Sequence, residues 1–305
     1  MIRKSTFALA AHAASAAIAT IAFSHNIASA TEGGVSIDPP GVESTVSSAL
    51  PPPGVYGMTY FRDYQASKAR DNNGNVVTGP GFKIHVDAVV NRFVWVTNEQ
   101  FAGASIAFQA VIPVARVKVN AAPGFSQAKT GLGDSTLGVG LAWHFSEQFH
   151  ALGALDLDIP TGRYDKNDLA NIGTNHWAVS PKFGVTYMQK SGFNGDFRNT
   201  LVFNTKNTDT DYRSGVEWFT DYTAGWGFGN GLTVGVAGYY YQQLTNDRQA
   251  GQSLAGSKGR AFAIGPSIRY DTGKGLMLSA KLEKESSVRN RAEGKSFWMR
   301  AVYAF

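Results

Sequence analysis

The chain has 305 residues, 43% of them hydrophobic and 12% aromatic, only 17% charged, with 34 glycines; this balance suits many strands and turns better than long charged helices. Cysteine is absent, which excludes disulfides, thiolate metal sites and cysteine nucleophiles. The net charge of +5, about +3 once Arg3 and Lys4 are set aside, comes from cations scattered among acids and excludes a nucleic-acid footprint.

Residues 1–30 read as a secretory signal peptide, with the positive start Met1-Ile-Arg-Lys4, an Ala-rich apolar stretch from Phe7 to Phe23, and the small-residue triplet Ala28-Ser29-Ala30 as cleavage site. Beyond Ala30 no run of about 18 apolar residues follows, and mean hydropathy is -0.17. A membrane-spanning mature chain must therefore be a closed barrel, the only other structure that pairs its whole backbone internally. Residues 31–54 are low in charge and end in Leu50-Pro-Pro-Pro-Gly54. They form an N-terminal periplasmic arm or a lumen plug, and the looseness common to termini favours the tail.

From Val55 the pattern is a series of strands. Val55–Tyr64, Phe82–Thr97, Phe101–Val119, Gly133–Phe145, Phe149–Ile159 and Trp177–Gln189 come first, followed by Phe193–Lys206, Tyr212–Phe228, Leu232–Gln243, Gly259–Tyr270, Gly275–Ser286 and Gly294–Phe305. Pro181 is a local doubt inside its strand. Connections alternate between long polar segments, such as residues 65–80 and 120–132, and tight turns, such as Gly229-Asn230-Gly231. Sorting of loops by length, with an even strand number, predicts residues 55–305 to be an all-β, transmembrane, antiparallel up-and-down β-barrel of about twelve strands in a bacterial outer membrane. The last strand sets Phe297, Met299, Ala301, Tyr303 and Phe305 against Ser296, Trp298, Arg300, Val302 and Ala304. Its first face is expected to meet lipid, and its aromatic end to close the sheet against Val55–Tyr64.

Thr31-Glu-Gly-Gly34, Leu50-Pro-Pro-Pro-Gly-Val-Tyr56, Gly131-Leu-Gly-Asp134, Asp158-Ile-Pro-Thr-Gly-Arg-Tyr-Asp165 and Asn171-Ile-Gly-Thr174 together resemble the MetA-pathway of phenol degradation family, a group taken to be outer-membrane transporters. The resemblance implies passage of hydrophobic or aromatic small molecules; no functional residue is carried over with it. Turn chemistry by itself accounts for Gly131, Gly133, Asp134 and Pro160-Thr161-Gly162.

If the aliphatic registers face lipid, the opposite registers line a lumen with His85, Asp87, Lys182, Glu217, Asp221, Arg269, Lys281, Glu283 and Arg300. Phe219, Tyr239, Tyr241 and Trp298 share that register and could stack on an aromatic solute. Mixed charge argues against a pore dedicated to one sign of ion, and the charges could instead pair across strands and fill the barrel. Trp143, Trp177 and Trp226 suit an interfacial girdle. No G-x-S-x-G, H-E-x-x-H, Walker A or dinucleotide motif is present, so no catalytic residue is assigned. His85 and Asp87 are only two ligands, so no metal or other cofactor is expected. The function expected is a channel for small, hydrophobic or aromatic molecules. The alternatives are a self-filled structural or adhesive barrel presenting its outer loops and, more remotely, a lipid hydrolase. The partners implied are outer-membrane lipids, the small solute, and the barrel-assembly machinery reading the strand that ends at Phe305; no nucleic acid is among them.

Overall fold

The computed structural model describes residues 31–305; the leader and its cleavage site near Ala30 lie outside the described residues. No helix in the described chain is long and apolar enough to cross a membrane, and the chain is organised by strands. In order these are β1 (Gly54–Ala69), β2 (Lys83–Phe101), β3 (Ala104–Ala122), β4 (Phe125–Leu132), β5 (Ser135–His144), β6 (Phe149–Ile159), β7 (Ala178–Tyr187) and β8 (Ser191–Asn204). There follow β9 (Tyr212–Arg213), β10 (Glu217–Phe228), β11 (Leu232–Gln243), β12 (Arg248–Gln249), β13 (Gln252–Ser253), β14 (Arg260–Asp271), β15 (Leu276–Arg289) and β16 (Ala292–Ala304).

Thirteen of these form one antiparallel sheet in which, β4 and β5 apart, each strand pairs with its neighbours in sequence, and β1 bonds both β2 and β16. The sheet is closed. Because β4 and β5 both pair with β3, they are successive parts of one stave, and the barrel has twelve. The short β9, β12 and β13 make a separate sheet in the loops. At the seam, the Phe305 N–H donates to the Val55 carbonyl at 3.0 Å, and Tyr60 lies opposite Arg300.

Side chains alternate between a lipid-facing and an enclosed surface, as the pleat requires. Phe61, Trp95, Leu137, Phe183, Trp177, Trp226, Leu278 and Met299 are exposed on the outer face. The enclosed face is polar, with Glu217, Asp221, Arg198, Arg269, Lys281, Glu283 and Arg300 all buried. Pro181 lies where the β7–β8 ladder skips residues 180–181 between Val179↔Phe203 and Lys182↔Thr200, so that ladder spares a donor there, while Pro181 stays paired with Leu155 of β6.

Two connections and one strand depart most from expectation. Residues 120–132 are a tight turn at Pro123-Gly124 between β3 and β4, which return past each other as a prolonged hairpin. Residues 287–292 are likewise mostly strand, turning at Asn290-Arg291. Tyr212–Phe228 is broken by Ser214-Gly215-Val216, where the N–H of Gly215 bonds the Asp247 carboxylate instead of a neighbouring strand. Polar composition marks water contact, and strands that outrun the membrane meet water too.

Candidate functional site

The lumen is where the sequence concentrates its charge, and the structure lays residues 31–53 along it. The arm carries three acids, Glu32, Asp38 and Glu43, and no Lys or Arg. Each acid docks at a different depth. Glu32 accepts hydrogen bonds from the Tyr164 hydroxyl and the Asn207 amide among the long loops. Asp38 takes Lys182 Nζ at 2.6 Å, while Asp156 on β6 holds the same ammonium at 2.9 Å. Glu43 Oε1 lies 2.7 Å from Arg92 Nη1 on β2 and 3.1 Å from Arg198 Nη1 on β8. Burial opposes that charge, but Arg198, Arg92 and Arg300 hold the carboxyl well below the usual carboxylate range.

The backbone of the arm has few partners of its own, so wall side chains supply them. The N–H groups of Gly41 and Glu43 donate to Asp221, that of Ser47 to Asp196, and that of Ser48 to Thr186 Oγ1. Lys281 Nζ donates to the Glu43 carbonyl at 2.7 Å, Arg198 to that of Ser47, and Arg300 to that of Thr45. Two glycines mark the closest approach. A Cβ on Gly41, whose φ is +85°, would lie 2.9 Å from both Glu283 Oε2 and Tyr239; one on Gly184 would lie 2.2 Å from Ser48 Oγ. The arm is thus held to several staves at once and is not a loose tail.

Of the expected lumen residues, Lys182, Asp221, Lys281 and Arg300 touch the arm directly. Glu217 accepts from the Tyr241 hydroxyl at 2.9 Å, the Tyr239 hydroxyl donates to Glu285, and Arg291 lies 4.1 Å above the Tyr241 ring. Phe219, Tyr239 and Tyr241 pack in one apolar cluster against Ile37 of the arm. Glu283 pairs with Lys281 at 2.9 Å, Arg269 donates to Thr233, and Arg62 lies over the Trp298 ring at 4.9 Å.

His85 and Asp87 are corrections. They lie on the outer face, in the same register as Val89, Phe93 and Trp95, whereas Arg92, Val94 and Val96 point inward. The apolar register of this stretch, Ile84 to Val90, faces the mouth of the barrel. Above the membrane the outer face meets water, so the rule that apolar means outward reverses there. Asp63 of β1 joins the pair: His85 Nε2 is 2.8 Å from Asp63 and 3.2 Å from Asp87, and the three offer ligand atoms within 4.8 Å of one another. Sequence reasoning missed Arg92, Asp156, Asp196 and Arg198. The signal for the two arginines was the arm itself, whose acids without bases require cations opposite; Asp156, which shares Lys182 with Asp38, and Asp196, which accepts from the Ser47 N–H, had no such signal.

One space borders the arm, and another lies among the outer loops. A cavity of about 60 Å³ lies toward the short-turn end, between Glu43, Leu50, Met58, Arg92 and Arg198. A larger one, about 510 Å³, opens at the long-loop end beside Ser214, Leu244 and Arg248.

The family model described as "Putative MetA-pathway of phenol degradation" matches residues 66–301. The chain belongs to this family. Among solved structures, the COG4313 outer membrane channel from Pseudomonas putida F1 is similar, with a TM-score of 0.78 and 18% identity over 87% of this chain and 100% of that one. The transport unit of the autotransporter AIDA-I from Escherichia coli shares the barrel fold more distantly, with a TM-score of 0.54 and 9% identity over 87% and 94%. No curated protein matches the sequence. Four of the motifs that carry the MetA-pathway resemblance meet in space. Asp134 accepts from the N–H of Gly162 and from both the N–H and hydroxyl of Thr174, drawing loop 160–177 over the barrel mouth. That loop then presents Tyr164 to Glu32 of the Thr31–Gly34 motif.

Proposed function

We propose that this outer-membrane channel passes small, hydrophobic or aromatic molecules, and that residues 31–53 are the plug that closes it. The carrying observation is the arm's course through the lumen, from Glu32 among the long loops, through Glu43, to Leu50 packed on Val94 and Val96. The cavity beside it, about 60 Å³, has room for water and falls well short of the several hundred Å³ of ordinary small-molecule sites. A phenol-sized solute therefore needs the arm to move. Once Ile37 leaves, Phe219, Tyr239 and Tyr241 would offer aromatic faces to such a solute. The family's link to phenol degradation supports the same solute class.

The cysteine-free sequence makes the test clean. Ser48 N and Thr186 Oγ1 are 3.0 Å apart, so Ser48→Cys with Thr186→Cys should form a disulfide that pins the arm. In proteoliposomes, deletion of residues 33–48 should raise phenol flux at least tenfold, and the pinned variant should conduct only after reduction. Absence of flux from the deleted form would sink the transport reading and favour the self-filled barrel, for which wall-to-wall contacts such as Arg269–Thr233 speak. We further assign the strand ending at Phe305 to recognition by the assembly machinery. Deletion of Phe305 should lower the amount of folded barrel in outer membranes, seen by heat-modifiable migration, without altering the flux per folded molecule.

A further inference from the structure

On the outer face, the apolar belt of five neighbouring staves ends within one step of the ladder, the step falling between β16 and β1, where Phe297 stands opposite Asp63. Its last members are Leu282 on β15, Phe297 on β16, Phe61 on β1, Val89 on β2 and Val114 on β3. Two residues further along the same face come Lys284, Lys295, Asp63, Asp87 and Arg116, with Lys118 one step beyond Arg116. Lys284, Lys295, Arg116 and Lys118 are exposed. Lys284 stands directly opposite Lys295 in the ladder, an unfavourable pairing unless an anion lies between the two heads. The nearby carboxylates do not answer them: Asp63 and Asp87 both turn to His85, and none of the four cations forms a salt bridge among the described residues. Across the barrel the corresponding outer-face positions, such as Leu157 and Ile159 on β6 and Trp177 and Val179 beside and on β7, are uncharged. The cations are therefore confined to one arc.

The arc is at the long-loop end of the strands, the side that faces the cell exterior in an outer-membrane barrel. Its height, just beyond the apolar belt, is that of lipid headgroups, where each Lys or Arg near an anionic surface attracts phosphate. We propose that this arc, Lys284 and Lys295 with Arg116 and Lys118, binds the headgroup phosphates of a phosphorylated glycolipid of the outer leaflet. The acyl chains would lie along Leu282, Phe297, Phe61 and Val89 below, so one lipid meets both the apolar and the cationic part of the surface. The Asp63–His85–Asp87 trio divides the arc into two cationic halves, matching a headgroup with two separated phosphates.

The test uses the full mature barrel in detergent micelles, titrated with diphosphoryl lipid A and with the same lipid stripped of both phosphates. Wild type should bind the diphosphoryl form at least tenfold more tightly. Lys284→Gln, Lys295→Gln and Lys118→Gln together should abolish that preference, while Lys190→Gln with Lys274→Gln, at the opposite rim, should keep it. Heat-modifiable migration confirms that each variant is a folded barrel. Equal binding of both lipids by wild type, or a preference that survives the triple substitution or is lost equally in the opposite-rim control, would overturn the proposal.

Discussion

Glu43 is the residue on which the arm's attachment turns. Its carboxylate faces Arg92 and Arg198 on opposite parts of the wall, and its backbone is gripped by Asp221 and Lys281. Glu43→Gln leaves two enclosed guanidinium groups without their counter-charge, a change of about 3 kcal/mol for a buried pair. The fraction of undocked arm should rise on the order of a hundredfold, read as open probability in planar bilayers; an unchanged open probability would show that the carboxylate does not hold the arm. The pH dependence has a definite sign. Since the folded-state pKa of Glu43 is depressed, its contribution is present in full above its ordinary value and is lost only as pH falls through the depressed one. The stability difference between wild type and Glu43→Gln should thus be the same at about pH 7 and pH 5 by thermal melting. Gly41→Val should loosen the arm independently, because its φ of +85° and the 2.9 Å approach to Tyr239 leave no place for a branched side chain.

At the level of elements, the strands inside the membrane were legible and those beyond it were not. Phe149–Ile159 and Leu232–Gln243 match β6 and β11, because lipid on one side and a polar lumen on the other enforce strict alternation. Residues 120–132 read as a loop although they form the tip of β3 and all of β4, since Asn120, Gln127 and Lys129 face water or other loops there and carry no apolar stripe. Asp134 is the acceptor that ties together the two ends of loop 160–177. Asp134→Ala removes three hydrogen bonds and should cost about 1–3 kcal/mol locally; hydrogen exchange of residues 160–177 should quicken, while exchange in β10 and β11 stays as in wild type.

For the whole molecule, the decisive surface is the boundary between lipid, water and lumen. Leu278→Arg, within the apolar belt, should destabilise the barrel by about 2–4 kcal/mol in urea titrations in bilayers. His85→Arg on the same outer side, beyond the belt, should change stability by well under 1 kcal/mol. Equal costs would show that the belt runs higher than its exposed apolar residues indicate.

Composition and period-two patterning by themselves determined a closed antiparallel barrel, its twelve staves and the inward course of Arg300, because a chain without long apolar helices has no other way to pair its backbone in lipid. Only the tertiary structure decided the rest. Whether a face meets lipid, water or lumen depends on height along the stave, which no local period records; hence His85 and Asp87 turn outward although they alternate with aliphatics. The arm has no periodicity at all, and its position follows from charges brought together across the barrel, Glu43 with Arg92 and Arg198, at sequence separations that only closure of the sheet makes short.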